Sequence, residues 1–389
     1  MAAAASAASA ASAPSAPARR PAVAFGVWNN GHVANMHMLA LALHHIRPDV
    51  ELHVATHPDG ESTCRSIDIW QVFVMRDTSD ADIDEWLQRH NFDCVVADFC
   101  TSILRPDTLP QCKFIASTNM AHWMVDESDT WSDTVGRAIL GSACYLLAGT
   151  LKCHAFLGAS AFPYLQHISA QEVWQKYRAL FTGPWLRPAL QGQRWCAPAR
   201  PSPFTPLKIV LYLGGDSNED GSLERMIRAN VLQWRFPWLH STTEIRSFGK
   251  VARPESRNLF DAAMLDCHLL ISTAGAAVCA EISYLGVPTL LTTVDTISWY
   301  EQYMNATTAA KHVPWAMYAS HDTLESAREV VSVCNGVRRC MEAAYDAVER
   351  NLPRRVENGV HHAADFLSLL VPTTTDRDEA DEHLFHDAR

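Results

Sequence analysis

The chain has no apolar run long enough to cross a bilayer. Its longest, residues 138–151, covers 14 positions, and a spanning helix needs about 20. Positive charge is also scarce. The 32 Lys and Arg stand against 43 Asp and Glu, a net charge of −11, which argues against a nucleic-acid polyanion as the main partner. Paired cysteines are missing: the eleven Cys are odd in number, none forms a CxxC pair, and no zinc spacing occurs. Several, such as Cys94, Cys267 and Cys279, lie inside apolar runs. Buried free thiols and a reducing, cytoplasmic setting are therefore expected. Residues 1–20 carry no Leu-, Ile- or Phe-rich segment and no positive charge ahead of their alanines. They read as a disordered Ala/Ser/Pro tail rather than a secretory signal. Residues 373–389, with six acids against two arginines, read as an acidic tail.

What is present suits a globular protein of 389 residues with 48% hydrophobic positions, a length that suggests two domains. From Pro21 onward, strand-like runs alternate with helical ones. Val23–Val27, Val50–Ala55, Val72–Met75, Asp93–Asp98 and Lys113–Ser117 read as strands. Strands hydrophobic on both faces and separated by helices imply a parallel sheet covered on both sides. Four prolines between Pro198 and Pro206 mark 189–206 as an exposed linker, after which the rhythm restarts at Ile209–Leu213. The expected plan is a Rossmann-like doubly wound domain over 21–188 and a second over 207–350. The two would face each other across a cleft, the place where ligands of open α/β sheets bind.

The strongest chemical signal is Ser272-Thr273-Ala274-Gly275-Ala276-Ala277-Val278-Cys279-Ala280-Glu281, running on to Gly286-Val287-Pro288. A strand ends at Ser272, small residues turn, and a helix begins near Ala276. Such a turn lets a phosphate approach backbone N–H groups at the positive end of a helix. Glu281, nearly two turns into that helix, can accept hydrogen bonds from the two hydroxyls of a ribose. Taken alone, the stretch equally fits an ordinary βα turn with a glutamate on a solvated face. Three further elements accompany it: Asn30-Gly31-His32-Val33 after the first strand, Gly183-Pro184-Trp185-Leu186-Arg187-Pro188 before the linker, and Glu301-Gln302-Tyr303-Met304-Asn305-Ala306 after a later strand.

With these elements in order over residues 25–306, the chain resembles the GT-B nucleotide-sugar glycosyltransferases, the group that includes UDP-glycosyltransferases and MurG-type N-acetylglucosaminyltransferases. The Gly-His-Val, Gly-Pro-x-x-Arg-Pro, Gly-Gly (Gly214-Gly215), donor-turn and acid-Gln-x-x-Asn-Ala elements of the family all have counterparts. The resemblance implies that Glu281 holds the donor ribose and that Ser272 belongs to the donor turn. The N–H groups of Gly275, Ala276 and Ala277 would take the diphosphate, with Ser217 and Asn218 in reach of the phosphates. Glu301 and Gln302 would contact the donor sugar, and Phe248 to Lys250 the nucleobase. His32, beside Gly31, matches the position of the catalytic base, with Asp98 as the nearest acid to orient it. The last helix of the family crosses back onto domain one, expected here within 351–372.

The resemblance thus implies metal-independent, inverting transfer from a nucleotide sugar, UDP-linked by expectation, to a hydroxyl of a small-molecule or glycan acceptor. No metal or resident cofactor is expected. A nucleotide-sugar hydrolase or epimerase, or a non-catalytic binding subunit, would keep the same donor motif. For the acceptor, Trp70, Trp123, Trp131 and Trp174 could form an aromatic platform, although a core role is commoner for Trp. The apolar segment Val135–Leu151 reads as a core helix rather than a membrane contact.

Overall fold

The computed structural model describes residues 19–28, 30–76, 78–98, 100–118, 153–159, 179–213, 221–233, 242–249, 254–293, 299–326, 328–354 and 357–373. The segment 135–151, the loop carrying Gly214, Gly215, Ser217 and Asn218, and Lys250 lie outside them.

The first sheet contains β1 (Ala22–Val27), β2 (Glu51–Thr56), β3 (Gln71–Val74), β4 (Cys94–Asp98), β5 (Lys113–Thr118), β6 (Ala155–Ala159) and β7 (Ala179–Thr182). Their order is β3-β2-β1-β4-β5-β6-β7, and every neighbouring pair is parallel. The second sheet contains β8 (Leu207–Tyr212), β9 (Thr243–Phe248), β10 (Leu269–Thr273), β11 (Thr289–Thr292) and β12 (Ala316–Tyr318), in the order β12-β11-β10-β8-β9, again all parallel. Among the described helices are α1 (Asn30–Ile46), α2 (Glu61–Arg65), α3 (Asp80–His90), α4 (Ser222–Gln233), α5 (Pro254–Leu265), α6 (Ala276–Leu285), α7 (Trp299–His312), α8 (His321–Glu325), α9 (Val330–Glu349) and α10 (Val360–Leu370).

Burial follows the sequence pattern. All six residues of β1 are buried, as are all five of β4 and of β10, because helices cover both faces of a parallel sheet. Along β1, Val23, Phe25 and Val27 join one core cluster and Ala22 and Ala24 another, which is the two-residue period of a strand sorting side chains between two faces. The edge strand β9 alternates half-buried and exposed positions over Thr243–Ile245–Ser247 and their neighbours. The second sheet builds its own cluster around Ile209, Leu211, Phe260 and Ile271.

The stretch expected to be an exposed linker is anchored to the second sheet by aromatic side chains. Leu190 and Trp195 are buried in that sheet's cluster. Trp195 donates its indole N–H to Cys267 O at 2.8 Å, and Tyr345 donates its hydroxyl to Pro198 O at 2.9 Å. The prolines remove donors that an extended strap would leave unpaired, so an aromatic anchor on either side holds the rest.

After α9, Asn351 adopts a left-handed conformation (φ 46°), Pro353 blocks continuation of the helix, and the chain returns to the first sheet. There α10 packs Val360, Ala363, Ala364 and Leu367 into the cluster that holds Leu39 and Leu43 of α1. Outgoing and returning chains touch where they cross: Gly359 N donates to Pro184 O at 2.9 Å, and Leu186 N donates to Asn358 Oδ1 at 3.2 Å. Ten cysteines are free among the described residues, all buried except Cys196. No helix of the described residues is long and apolar enough to cross a membrane.

Candidate active site

In each sheet the chain reverses its winding direction at one point, and the candidate residues collect there. In the first sheet β1 lies between β2 and β4, so the crevice opens beyond the carboxyl ends of β1 and β4. α1 starts three residues after β1 ends, which places Gly31 and His32 in its first turn. Asp98 is the last residue of β4 and pairs in register with Val27, the last of β1. The result is direct: His32 Nδ1 lies 3.0 Å from Asp98 Oδ2, with the Asp98 side chain 1% exposed and the imidazole 18%. A carboxylate at Nδ1 fixes the ring so that Nε2 is the nitrogen left to exchange a proton. The Asp98-Phe99-Cys100 stretch carries no motif of its own. Register across the sheet brings Asp98 to His32.

The second switch point lies between β8 and β10. Gly275 caps α6 in an extended conformation, and its N–H turns back to donate to Thr273 O at 3.0 Å. That N–H is spent on the turn, so it drops out of the expected diphosphate set. The first N–H groups of α6, on Ala276, Ala277 and Val278, precede the first intrahelical bond, from Cys279 N to Gly275 O at 3.1 Å. They form the open donor set of a helix N-terminus. Ser272 is a second correction. Its hydroxyl is fully buried and bonds to Tyr212 O at 2.7 Å and Thr273 O at 3.1 Å, tying β10 to β8 instead of facing a ligand. Asn305 on α7 donates to Ala274 O at 3.0 Å, which pins the turn from the other side. Gln302 is buried on the first turn of α7, beside Glu301.

Glu281 is not on a solvated face. It is 3% exposed, and a carboxylate so buried needs partners. Its Oε1 accepts from Arg187 Nε at 2.9 Å and from Arg257 Nη2 at 3.1 Å. Arg187 in turn makes a two-pronged bond to Asp261, Nη1 to Oδ2 at 2.6 Å and Nη2 to Oδ1 at 2.8 Å. Burial works against the Arg187 charge, yet Glu281 and Asp261 together hold its pKa above the ordinary guanidinium value. Two cations and two anions cancel, leaving the cluster neutral. The other carboxylate oxygen, Glu281 Oε2, is buried and makes no hydrogen bond among the described residues.

Arg257 and Asp261 were missed in the sequence. The available signal was their i, i+4 spacing on α5, in the helix after the expected base-binding loop. Phe248, expected beside the nucleobase, packs edge-on against Phe260 at 5.5 Å. Of the four Trp that could have formed an aromatic platform, only Trp70 lies among the described residues. Trp70 is 7% exposed and donates to Cys64 O at 3.0 Å, a core role, while Trp123, Trp131 and Trp174 lie outside the described residues. Trp28 is instead 47% exposed, stacked on His57 at 4.7 Å, four residues before His32. Among the described residues no His, Cys, Asp and Glu group is arranged to hold a metal.

Residues 256–343 match the glycosyltransferase family 28 C-terminal domain, a span that runs from α5 through the donor turn into α9. The two parallel α/β sheets have the GT-B fold, and the matched span carries a glycosyltransferase family 28 C-terminal domain. Solved structures agree in architecture. CalG4, the calicheamicin glycosyltransferase, superposes with a TM-score of 0.57 at 15% identity, covering 90% of this chain and 98% of that one. MurG of Acinetobacter baumannii gives 0.54 at 13% identity, covering 90% and 99%. A UGT transferase from Siraitia grosvenorii, solved in complex with UDP, gives 0.58 at 11% identity, covering 90% and 100%. Among curated proteins, none matches the sequence.

Proposed function

We propose that the chain moves a sugar from a nucleoside-diphosphate sugar to an acceptor hydroxyl by inverting displacement, with His32 as the base. The observation that carries this reading is the donor turn: three open N–H groups at the start of α6, and, on the same helix, a buried Glu281 with one carboxylate oxygen unclaimed. The N–H groups and the helix dipole stabilise the diphosphate as it leaves. Glu281 Oε2 accepts from a ribose hydroxyl, while Arg187 and Arg257 hold its other oxygen still. In a GT-B arrangement His32 works from the facing domain. Its Nε2 takes the proton of the attacking hydroxyl, and Asp98 stabilises the imidazolium that forms. The hydroxyl attacks the anomeric carbon opposite the departing phosphate, which inverts that centre. A UDP-linked donor is in keeping with the UDP held by the Siraitia grosvenorii relative.

The test is nucleotide release from a panel of UDP-sugars with and without a panel of hydroxyl acceptors. Release that rises with an acceptor, together with a glycosylated product of inverted configuration, is the expected result. Release that no acceptor changes would replace transfer with hydrolysis.

A further inference from the structure

A second site lies at the opposite end of α6 from the donor turn. Ten residues of helix, about 15 Å at 1.5 Å per residue, separate the two. The end of α6, residues 343–348 of α9 and Trp315 before β12 enclose a pocket of about 390 Å³. That is at the small end of pockets that hold drug-sized ligands. Its mouth is apolar and open to water: Val348 is 42% exposed and Leu352 48%. Exposed apolar side chains gathered at one cavity mark a place where something apolar binds.

The charge at this mouth is one-sided. Among the described residues no acid lines the pocket, and two arginines do, Arg194 and Arg354. Arg194 donates to Asn351 Oδ1 at 3.4 Å and Leu352 O at 3.3 Å. Arg354 donates to Gly192 O and Gln193 O, each at 2.8 Å, and to the Tyr284 hydroxyl. Its Nε is buried with no hydrogen bond. All these partners are neutral, so both guanidinium charges stand without a counter-charge among the described residues. A guanidinium is shaped for the planar fork of a carboxylate.

We propose that this pocket binds a small amphipathic carboxylate, its apolar body against Trp315, Ala347 and Val348 and its charged end on Arg194 and Arg354. The site is separate from the donor turn and does not rest on the transfer reaction. It touches both crossings between the sheets, since Arg194 follows the outgoing one and Arg354 precedes the return.

The experiment uses 1-naphthylacetate and its neutral amide, titrated against the full chain and followed by ligand-observed NMR. The acid should bind at least about tenfold more tightly than the amide, because charged hydrogen bonds are roughly twice as strong as neutral ones. Arg354→Met should bring the acid down to the affinity of the amide, and Ala347→Phe should fill the space and remove binding of both. Should Ala347→Phe fail to fold, Val348→Glu at the exposed mouth repels the anion and serves instead, with an expected loss of acid binding. Equal affinity for acid and amide, no binding of the acid, or acid binding that survives the substitution at the wall or mouth would overturn the proposal.

Discussion

Glu281 carries a demand that its surroundings only half meet. Two arginines hold one oxygen and leave the other buried without a hydrogen bond among the described residues. An unmade hydrogen bond to a buried charge costs about 1–3 kcal/mol or more, so a ligand hydroxyl arriving there recovers a debt already in the fold. Glu281→Ala should therefore weaken UDP binding by about 1–3 kcal/mol, about 5- to 150-fold, measured by calorimetry. An unchanged dissociation constant would remove Glu281 from the ribose site. On the facing domain, Asp98→Asn keeps the shape beside His32 but withdraws the charge. Turnover should fall by about 10²-fold with donor affinity preserved. If affinity falls and turnover of the bound complex holds, the pair is a scaffold. A third residue reports on pH. Burial, and then the charge of His90, push His53 down to about 4, against 6.5 in the unfolded chain. The folded state thus favours neutral His53, and its stability is complete above pH 6.5. Between pH 6.5 and about 4 the protein should lose up to about 3 kcal/mol, at about 1.4 kcal/mol per pH unit. Urea titrations across that range would show it, with His53→Leu giving a flatter slope.

At the level of elements, much was legible. Continuous apolar runs such as Cys94-Val95-Val96-Ala97 announced buried parallel strands, and the gap between Ser272 and Ala276 announced the start of α6. What stayed hidden were relations between elements far apart in the chain. Asp98 has no local signature, and only the pairing of β4 with β1 sets it beside His32. Arg257 and Asp261 look like any i, i+4 pair until Arg187 arrives from the crossing segment. The hydroxyl of Ser272 reads as a ligand group in one dimension and proves to be a tie between strands in three. The proline-rich stretch told less than it held for a related reason: prolines report what a backbone lacks, and they are silent about Trp195 and its partner carbonyl. The crossing itself is checkable. A Cβ on Gly359 would lie 2.3 Å from Gly183 N and 2.4 Å from Gly183 O, and backbone atoms yield little. Gly359→Ala should lower stability by about 1–3 kcal/mol, read from the denaturation midpoint. A midpoint equal to that of the parent chain would show that the two backbones can separate freely.

At the scale of the whole molecule, the chain leaves domain one through residues 183–187 and returns through 357–360 at the same place. Two strands fastened side by side behave as a flat strap. A strap bends readily across its width, yet resists twist about its length and sideways shear. Two backbones that cross together limit how the sheets can turn relative to each other more than a single connection would. Such a joint makes alignment repeatable. With His32 as the base proposed above, that doubled crossing is what holds its bearing relative to α6, and so where an acceptor would have to stand.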